Sequence, residues 1–502
     1  MTSKQGPLGD RIVDRKEELA TLRELADRPG PTLALVTGRR RVGKTFLLNN
    51  AWSDAQTFYF VASEGTSTVN RRELLEAVAR RFDLDVDPAD YSTWRTVFRL
   101  LFELQTPEPL VIVLDEFQFL MGTKEGVPSH LAAIFDVHKD RRPFVLVLCG
   151  SAVRTMEHLN AGDAPLYGRF SRVIKLDPFD YFDAAAMMPW LSPRDCAIAY
   201  GAVGGTPRYL HALAGARSVD AAITGEVLAR SGDVRLQVET LIDQERGLRN
   251  QHEYKAILRA IGAGRTIANE IADWAGTEKG NSTKVMLEKL VALGYVAAER
   301  NVDAKSNAPT RYRLADNALR FHHELVERYR PELARYPANV VWDTHVAGHI
   351  DTYMGRVFEG IAEQAYYRHG LRRGLPLVDT WGRWEGAVTH QRGTAIPTRS
   401  YEVDIVTRLT DGRIMTGAVK WGDLGIGVHN KHLRELEVLA DAGHAWARAA
   451  LMPDAPLLYV TGGALSTDFV ARASEDGHPV IAWTLDDLYA GALRLGSDPA
   501  DA

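Results

Sequence analysis

The sequence predicts an α/β protein. Its first part reads as a parallel sheet with helices on both faces. A helical segment, a three-helix unit with a hairpin and a second, mixed α/β part follow. Three observations carry this reading. Five short, almost continuously apolar runs in residues 10–180 alternate with helix-like stretches, the pattern of strands buried on both faces. Residues 38–45 read Gly-x-x-x-x-Gly-Lys-Thr between one such run and a helix. The rhythm then changes twice, near residues 250 and 345.

The first element is a helix in "DRKEELATLREL", with Asp14 and Glu17 at capping-box spacing. "TLALVT" (32–37) is a strand that runs into the glycine loop. "TFYFVA" (57–62), "LVIVLD" (110–115), "FVLVLC" (144–149) and "RVIKLD" (172–177) are the other four. "NRRELLEAVARRF" reads as a helix with Asn70 as its cap. Residues 181–250 read as helices only, broken by the turn Gly204-Gly205-Thr206-Pro207. In 251–330, "EYKAILRAI", "TIANEIADWAG" and "NSTKVMLEKLVALGYV" are three helices, the last ended by Gly294. Two strands around a polar loop close the unit, the order of a winged helix-turn-helix. In 345–492, "YEVDIVTRL" and "RIMTGAVKW" read as adjacent strands joined by "TDGR". A helix, a strand, a helix and a last strand, "HPVIAWTL", come next. The tail "LGSDPADA" reads as disordered.

At 502 residues the chain is long enough for three or four domains of roughly 100–200 residues. Its 45% hydrophobic and 25% charged residues are those of an ordinary soluble globular protein. The net charge of −5 carries no global nucleic-acid signal. Cys149 lies in an apolar run, and with only Cys196 beside it in the chain neither a disulfide framework nor a zinc site is expected. The N-terminus has no apolar segment of a signal peptide, and no run reaches the ~18 residues of a membrane span. A cytoplasmic protein is expected.

The glycine loop has the sequence and the context of a Walker A motif. Backbone N–H groups from Gly38 through Arg39, Arg40, Arg41, Val42 and Gly43 are expected to turn toward the β-phosphate. Lys44 reaches the β- and γ-phosphates, the Thr45 hydroxyl ligates magnesium, and the following helix adds its positive end. "PLVIVLDEF" supplies the second half: Asp115 for the magnesium shell and Glu116 to polarise water. Adjacent Asp and Glu point to hydrolysis rather than binding alone. Ser151, after the next strand, is placed to sense the γ-phosphate or else to cap a turn. Arg169 is either an arginine finger, in cis or in trans, or a surface arginine. Arg39, Arg40 and Arg41 are expected in solvent or against an acidic element. The fold class is thus a P-loop NTPase sheet with a helical lid, a winged helix-turn-helix and a C-terminal α/β domain.

The series "IVDRKEELATLREL", "TGRRRVGKTFLL", "VLDEFQFL", "CGSA", "PLYGR" and "GGTPRYL" resembles the archaeal-type P-loop ATPases, also called DEXX-box ATPases. These are similar to the AAA+ and STAND groups, and the likeness covers most of residues 10–215. It implies an ATP site built from Gly38 to Thr45, Asp115 and Glu116. It also implies that Pro207 and its turn lie near the nucleotide. Many members carry a winged helix and a C-terminal domain similar to the PD-(D/E)XK nucleases, a restriction-endonuclease-like fold.

That likeness assigns Glu359, Asp404 and Lys420 to a nuclease-like site. Such a site holds a metal with its acids and places water or charge with its lysine. The family pattern has an acid at 418, where this chain has Ala418. Glu402, two residues before Asp404 on one strand face, is the expected partial substitute. A fold that has lost cleavage is the alternative, and the one favoured. In the winged helix, Ser282, Thr283, Lys284 and Lys289 on the third helix and Lys305, Arg311 and Arg313 in the wing are the candidate DNA contacts. Residues 252–316 hold ten Lys/Arg against eight Asp/Glu, a net of only +2. A structural lid on the ATPase is therefore the competing role. His322 and His323 are expected to be packing or surface residues. The expected ligands are ATP and Mg²⁺. Double-stranded DNA, a protein partner and a further copy of the chain remain open as partners, and no membrane is expected. The sequence leaves three readings: a DNA-acting ATP switch or motor, a nucleotide-gated signalling scaffold, and an ATP-regulated nuclease of a defence or toxin system.

Overall fold

The computed structural model describes residues 13–106, 109–121, 125–139, 143–245, 248–278, 280–305, 308–389 and 398–492. The expectations for the N-terminal eleven residues and for the "LGSDPADA" tail lie outside this set.

Strands β1 (Pro31–Gly38), β2 (Thr57–Val61), β3 (Leu110–Asp115), β4 (Phe144–Gly150) and β5 (Arg172–Leu176) form one parallel sheet in the order β2-β3-β4-β1-β5. All residues of β3 and β4 are buried, because helices cover both faces. One core packs on each face, around Leu35, Ile112 and Leu146 on one side and Val36, Val113 and Val147 on the other. Each alternating set of a strand feeds one core, as a period of two requires.

Two helix starts differ from expectation. The first helix, Lys16–Ala26, has no side-chain cap. Asp14 and Arg15 both have left-handed φ angles of 53° and 71°, which turns Asp14 away from the cap position. Arg15 instead ties the helix start down, donating to Glu18 at 3.0 Å and to the Asp177 carbonyl at 2.5 Å. The helix expected from Asn70 begins at Ser67, capped by Thr66. Asn70 is buried and bonds both the N–H (2.9 Å) and the carbonyl (3.0 Å) of Ser63, which fastens the loop after β2 to the helix.

Helices alone fill residues 181–244, with Pro193–Val203 and Pro207–Leu213 on either side of the Gly-Gly-Thr-Pro turn. Gly205 sits so close to Phe179 that a Cβ would meet its carbonyl oxygen at 1.7 Å. The helices Gln251–Gly262, Ala268–Ala275 and Asn281–Ala292 follow, and Gly294, at φ 71°, ends the third. A hairpin of β6 (Val296–Glu299) and β7 (Arg311–Leu314) completes this unit in the expected order. Its core is continuous with that of the helical segment and of the C-terminal sheet, from Phe179 to Ala492.

The last part contains β8 (Val378–Thr380), β9 (Trp384–Thr389), β10 (Thr398–Val403), β11 (Ile405–Leu409), β12 (Ile414–Lys420), β13 (Leu457–Thr461) and β14 (Val480–Thr484). A mixed sheet has the order β14-β13-β12-β11-β8, and β9 with β10 forms a separate antiparallel pair. The run 401–409, expected as one strand, therefore divides at Asp404 between two sheets. The Asp404 carboxylate accepts from the Val419 N–H and from Lys420 Nζ, each at 2.9 Å, and so supports the break. The 20-residue helix Ile350–His369 packs this sheet against the helical segment: Gln364 accepts from the Tyr181 N–H and Tyr353 donates to the Gly201 carbonyl. Among the described residues no helix is long and apolar enough to cross a membrane.

Candidate functional site

The carboxyl ends of β1, β4 and β3 lie side by side, with β4 in the middle. This places the loop after β1 and the acids after β3 around one cleft of about 600 Å³. Gly38 and Gly43 take φ angles of 153° and 94°, and Arg41, at 69°, also lies in the left-handed region. At Gly38 a Cβ would stand 2.4 Å from the Leu176 carbonyl oxygen, so glycine is required by space as well as by φ. The loop thus bends back over the helix Lys44–Asn49.

Lys44 is buried, and burial pushes its pKa down. Its ammonium donates to the Gly38 and Arg39 carbonyls at 2.7 and 2.9 Å, which braces the loop from inside. Thr45 Oγ1 donates to Asp115 Oδ2 at 3.3 Å, and the Tyr59 phenol donates to the same oxygen at 2.5 Å. Burial and then the Asp115 charge push the Tyr59 pKa up, so it stays a donor. Glu116 has a left-handed φ of 52°, a position that costs about 1–3 kcal/mol and must be held by its surroundings. Its own N–H donates to Asp115 Oδ1 at 2.8 Å. Its carboxylate accepts from Ser151 Oγ at 3.0 Å and from Gln118 Nε2. Ser151 therefore lies between the loop and the acids and touches Glu116 directly.

The structure brings Arg40, Arg41, Val42, Gly43, Lys44, Thr45, Asp115, Glu116, Ser151 and Pro207 to this cleft. Arg39 is not there. Its guanidinium turns the other way, to Asp316 at 3.0 Å and over the Tyr295 ring at 4.8 Å. Tyr295 in turn donates to the buried Glu245. Arg41 donates to Gln244 of the helical segment at 2.7 Å while still lining the cleft. A solvated loop was expected as the first alternative; two of its three arginines instead join the loop to later parts of the chain. Arg169 does not line the cleft either. Asp136 holds it with two hydrogen bonds of 2.9 and 2.6 Å, so the expectation of a finger acting on its own nucleotide is corrected.

Sequence reasoning missed Tyr59, Gln118, Arg208 and Asp316. Tyr59 sits on the face of β2 that Val61 shares, and Val61 pairs with Asp115. Gln118 is two residues past Glu116 on the turn into the next helix, where an amide carries no sequence signal. Arg208 follows Pro207 at the start of a helix and lines the cleft beside it.

The nuclease-like residues gather at a second place. Carboxylate oxygens of Glu359, Glu402 and Asp404 lie within 4.8 Å of one another. Arg383 lies among them, pairing with Glu359 at 3.0 Å and with Glu402. Burial pushes Glu359 up to about 7 against the pull of Arg383. Lys420 is committed to Asp404. Ala418 does not open on this group; it packs with Leu424, Tyr459 and Phe469 in an apolar cluster. The wing residues Arg311 and Arg313, expected to meet DNA, pair with Glu385 at 3.1 Å each, and Arg313 also with Glu299 at 3.0 Å. Thr283 is buried and donates to the Glu278 carbonyl, so it too is unavailable. Ser282, Lys284 and Lys305 are exposed and Lys289 is half-buried.

A five-stranded parallel sheet with a glycine-rich loop after β1 and an Asp-Glu pair after β3, the two strands flanking the central β4, defines a P-loop NTPase. Residues 12–213 match a family described as an ATPase domain predominantly from Archaea. Residues 322–435 match a family of archaeal and bacterial proteins of unknown function. Residues 12–213 are thus similar to the ATPase domains of that family, which supports ATP hydrolysis at the cleft. The chain is 25% identical over 420 residues to an uncharacterized protein of Methanocaldococcus jannaschii, a match covering 82% of this chain and 88% of that one. Among solved structures it is similar to the Walker-type ATPase of Pyrococcus abyssi (21% identity, 64% of this chain and 98% of that one, TM-score 0.47). It is also similar to the ORC2 protein of Aeropyrum pernix (15% identity, 66% and 98%, TM-score 0.45).

Proposed function

We propose that the chain is an ATP·Mg²⁺-driven switch that acts on double-stranded DNA. In this reading the three helices with the β6–β7 hairpin are a winged helix, and the C-terminal part is a nuclease-like domain that binds without cleaving. Lys44 and the loop N–H groups hold the phosphates. Thr45 Oγ1 and Asp115 Oδ2, 3.3 Å apart, fit the hard-oxygen set that magnesium takes. The ion, when bound, neutralises charge on the β- and γ-phosphates. Glu116 accepts a proton from water, with Ser151 and Gln118 fixing its carboxylate.

The observation that carries the switch is the Arg39–Asp316 pair. It ties the phosphate loop to the residue that caps the helix after β7, so loop and winged helix cannot move independently. The nuclease-like pocket supports binding over cleavage, because a guanidinium lies between two of its acids and position 418 is apolar.

The test compares the native chain with Lys44→Ala and Glu116→Gln for ATP turnover and for salt-dependent binding of a DNA duplex. Glu116→Gln should keep ATP binding and lose hydrolysis by about 10²–10⁴-fold. DNA affinity should differ between ATP and ADP in the native chain. No affinity for the duplex at moderate salt would transfer the proposal to a scaffold that binds a protein partner. Metal-dependent nicking abolished by Lys420→Ala would overturn the binding-only role of the C-terminal part.

A further inference from the structure

We infer that His322, His323 and Glu327 form a site for a borderline divalent metal ion, Zn²⁺ in the first instance. The observation that motivates it is a local change of helix type. Residues His322–Val326 are wound as a π-helix, and the Glu327 N–H donates to the His322 carbonyl at 2.8 Å, an i→i+5 bond. In an α-helix, at about 100° per residue, positions 322 and 327 would lie some 140° apart. The widened turn brings them to one side, while 323 and 327 keep the ordinary i, i+4 adjacency. Single π-turns of this kind concentrate at functional sites.

The result is a compact donor set. His323 Nδ1 lies 2.9 Å from Glu327 Oε2, and His322 Nε2 lies 3.9 Å from Glu327 Oε1. One nitrogen from each ring and one carboxylate oxygen all fall within 4.8 Å of one another. Three ligands bonded at about 2.0–2.2 Å to one ion lie at such mutual distances, and two imidazoles with one carboxylate are a common zinc set. Oxygen-only sites suit Mg²⁺ instead, which separates this cluster chemically from the two acidic places described above. All three side chains are largely buried, with 7%, 8% and 18% exposed. His323 and Glu327 border an open cleft of about 640 Å³, also lined by Trp274, His349 and Arg356. A three-ligand ion here would keep its free position toward that cleft.

Arg259 is the group that opposes the ion. Its Nε donates to Glu327 Oε1 at 2.9 Å, and the side chain is 46% exposed, so it can leave toward solvent. An ion at Nδ1 would take the place of the hydrogen that His323 directs at the carboxylate from that atom.

The test uses the full, metal-stripped chain in excess Mg²⁺, which occupies oxygen-donor sites, with Zn²⁺ delivered against a chromophoric chelator. One Zn²⁺ per chain is expected. His323→Ala and Glu327→Gln should each weaken it by about 10-fold or more. Arg259→Ala should tighten it, because the competing cation is gone. Circular dichroism establishes that each variant is folded, and His323→Gln serves where the alanine variant is not. Co²⁺ should give d–d absorption that the Glu327→Gln variant loses. Zn²⁺ affinity unchanged in both ligand variants, or no zinc in either the native chain or Arg259→Ala, would overturn the site and leave the cluster as a hydrogen-bonded helix joint.

Discussion

Arg39→Ala should cost far more stability than any one surface arginine. The guanidinium and Asp316 leave only 14% and 8% of their side chains exposed. Removing one partner of such a pair strands the other charge away from water, at about 3–5 kcal/mol. The residual exposure and the bond that Asp316 keeps to the Leu319 N–H place the expectation near the lower end, about 3 kcal/mol. Asp316→Ala removes the pair and that helix cap together, so about 1 kcal/mol more is expected. Asp316→Asn keeps the cap and should cost less than the alanine by that amount. Urea unfolding of the native chain, both single variants and the double variant Arg39→Ala/Asp316→Ala then closes a cycle. The coupling should exceed 1.5 kcal/mol, the order expected for a desolvated pair, and should survive high salt. A coupling under about 0.5 kcal/mol, or one that salt abolishes, would mean an ordinary surface pair. It would also remove the link on which the switch reading depends.

Three further outcomes follow from named contacts. Gly150→Ala would place a Cβ 2.2 Å from Gln118 Oε1, so the amide must swing away from Glu116; ATP turnover should fall while ATP binding, measured by equilibrium titration, stays unchanged, the same phenotype as Gln118→Ala. Burial holds His432 down to about 4 from an ordinary 6.5. Its neutral form is the folded one, so this contribution is fully present above about pH 6.5 and is lost as pH falls toward about 4. The loss is on the order of 3 kcal/mol, and His432→Gln should flatten the thermal-unfolding midpoint across that window. Cys149 and Cys196 are 0% and 1% exposed, and burial pushes both thiols up; a maleimide should label neither in the folded chain and both in denaturant, and prompt native labelling would contradict the packing of β4.

The parallel sheet was legible because a strand buried on both faces has to be apolar at every position, and such runs are rare by chance. All five runs agree with the structure to within one residue at each end. The helices of the three-helix unit were legible for the matching reason, a 3.6-residue period. What was illegible depends on backbone choices or distant partners. Nothing in "YEVDIVTRL" marks Asp404 as the point where the chain leaves one sheet for another, since both halves continue the same alternation. The start at Thr66 rather than Asn70 turned on which of two equally suitable caps the preceding loop could reach. Arg39 and Asp316 are 277 positions apart, and no local pattern joins them. His322, His323 and Glu327 looked unrelated because an α-helix, the default period, keeps the first and last apart.

The β6–β7 hairpin shows how a legible element can leave its role open. The order of three helices and a hairpin was readable, and arginines in a wing suggest phosphates. In the structure Glu385 supplies the negative charge instead, accepting from Arg311 and Arg313. The loop between the strands docks as well: Asn301 bonds both backbone groups of Glu385, and Asp303 accepts from Trp384, Trp446 and His444. Phosphates would have to break charge-assisted bonds that already satisfy these groups, and these bonds hold the hairpin against the C-terminal part. Any DNA contact by this unit then falls to the exposed face of the third helix, at Ser282 and Lys284, with Lys305 at the hairpin. That face and the Glu385 joint use different residues, so Lys284→Ala should weaken duplex binding without loosening the C-terminal part, and Glu385→Ala should do the reverse. Duplex binding that rises with Glu385→Ala and does not change with Lys284→Ala, in a chain still folded by circular dichroism, would mean that the freed Arg311 and Arg313 are the DNA surface.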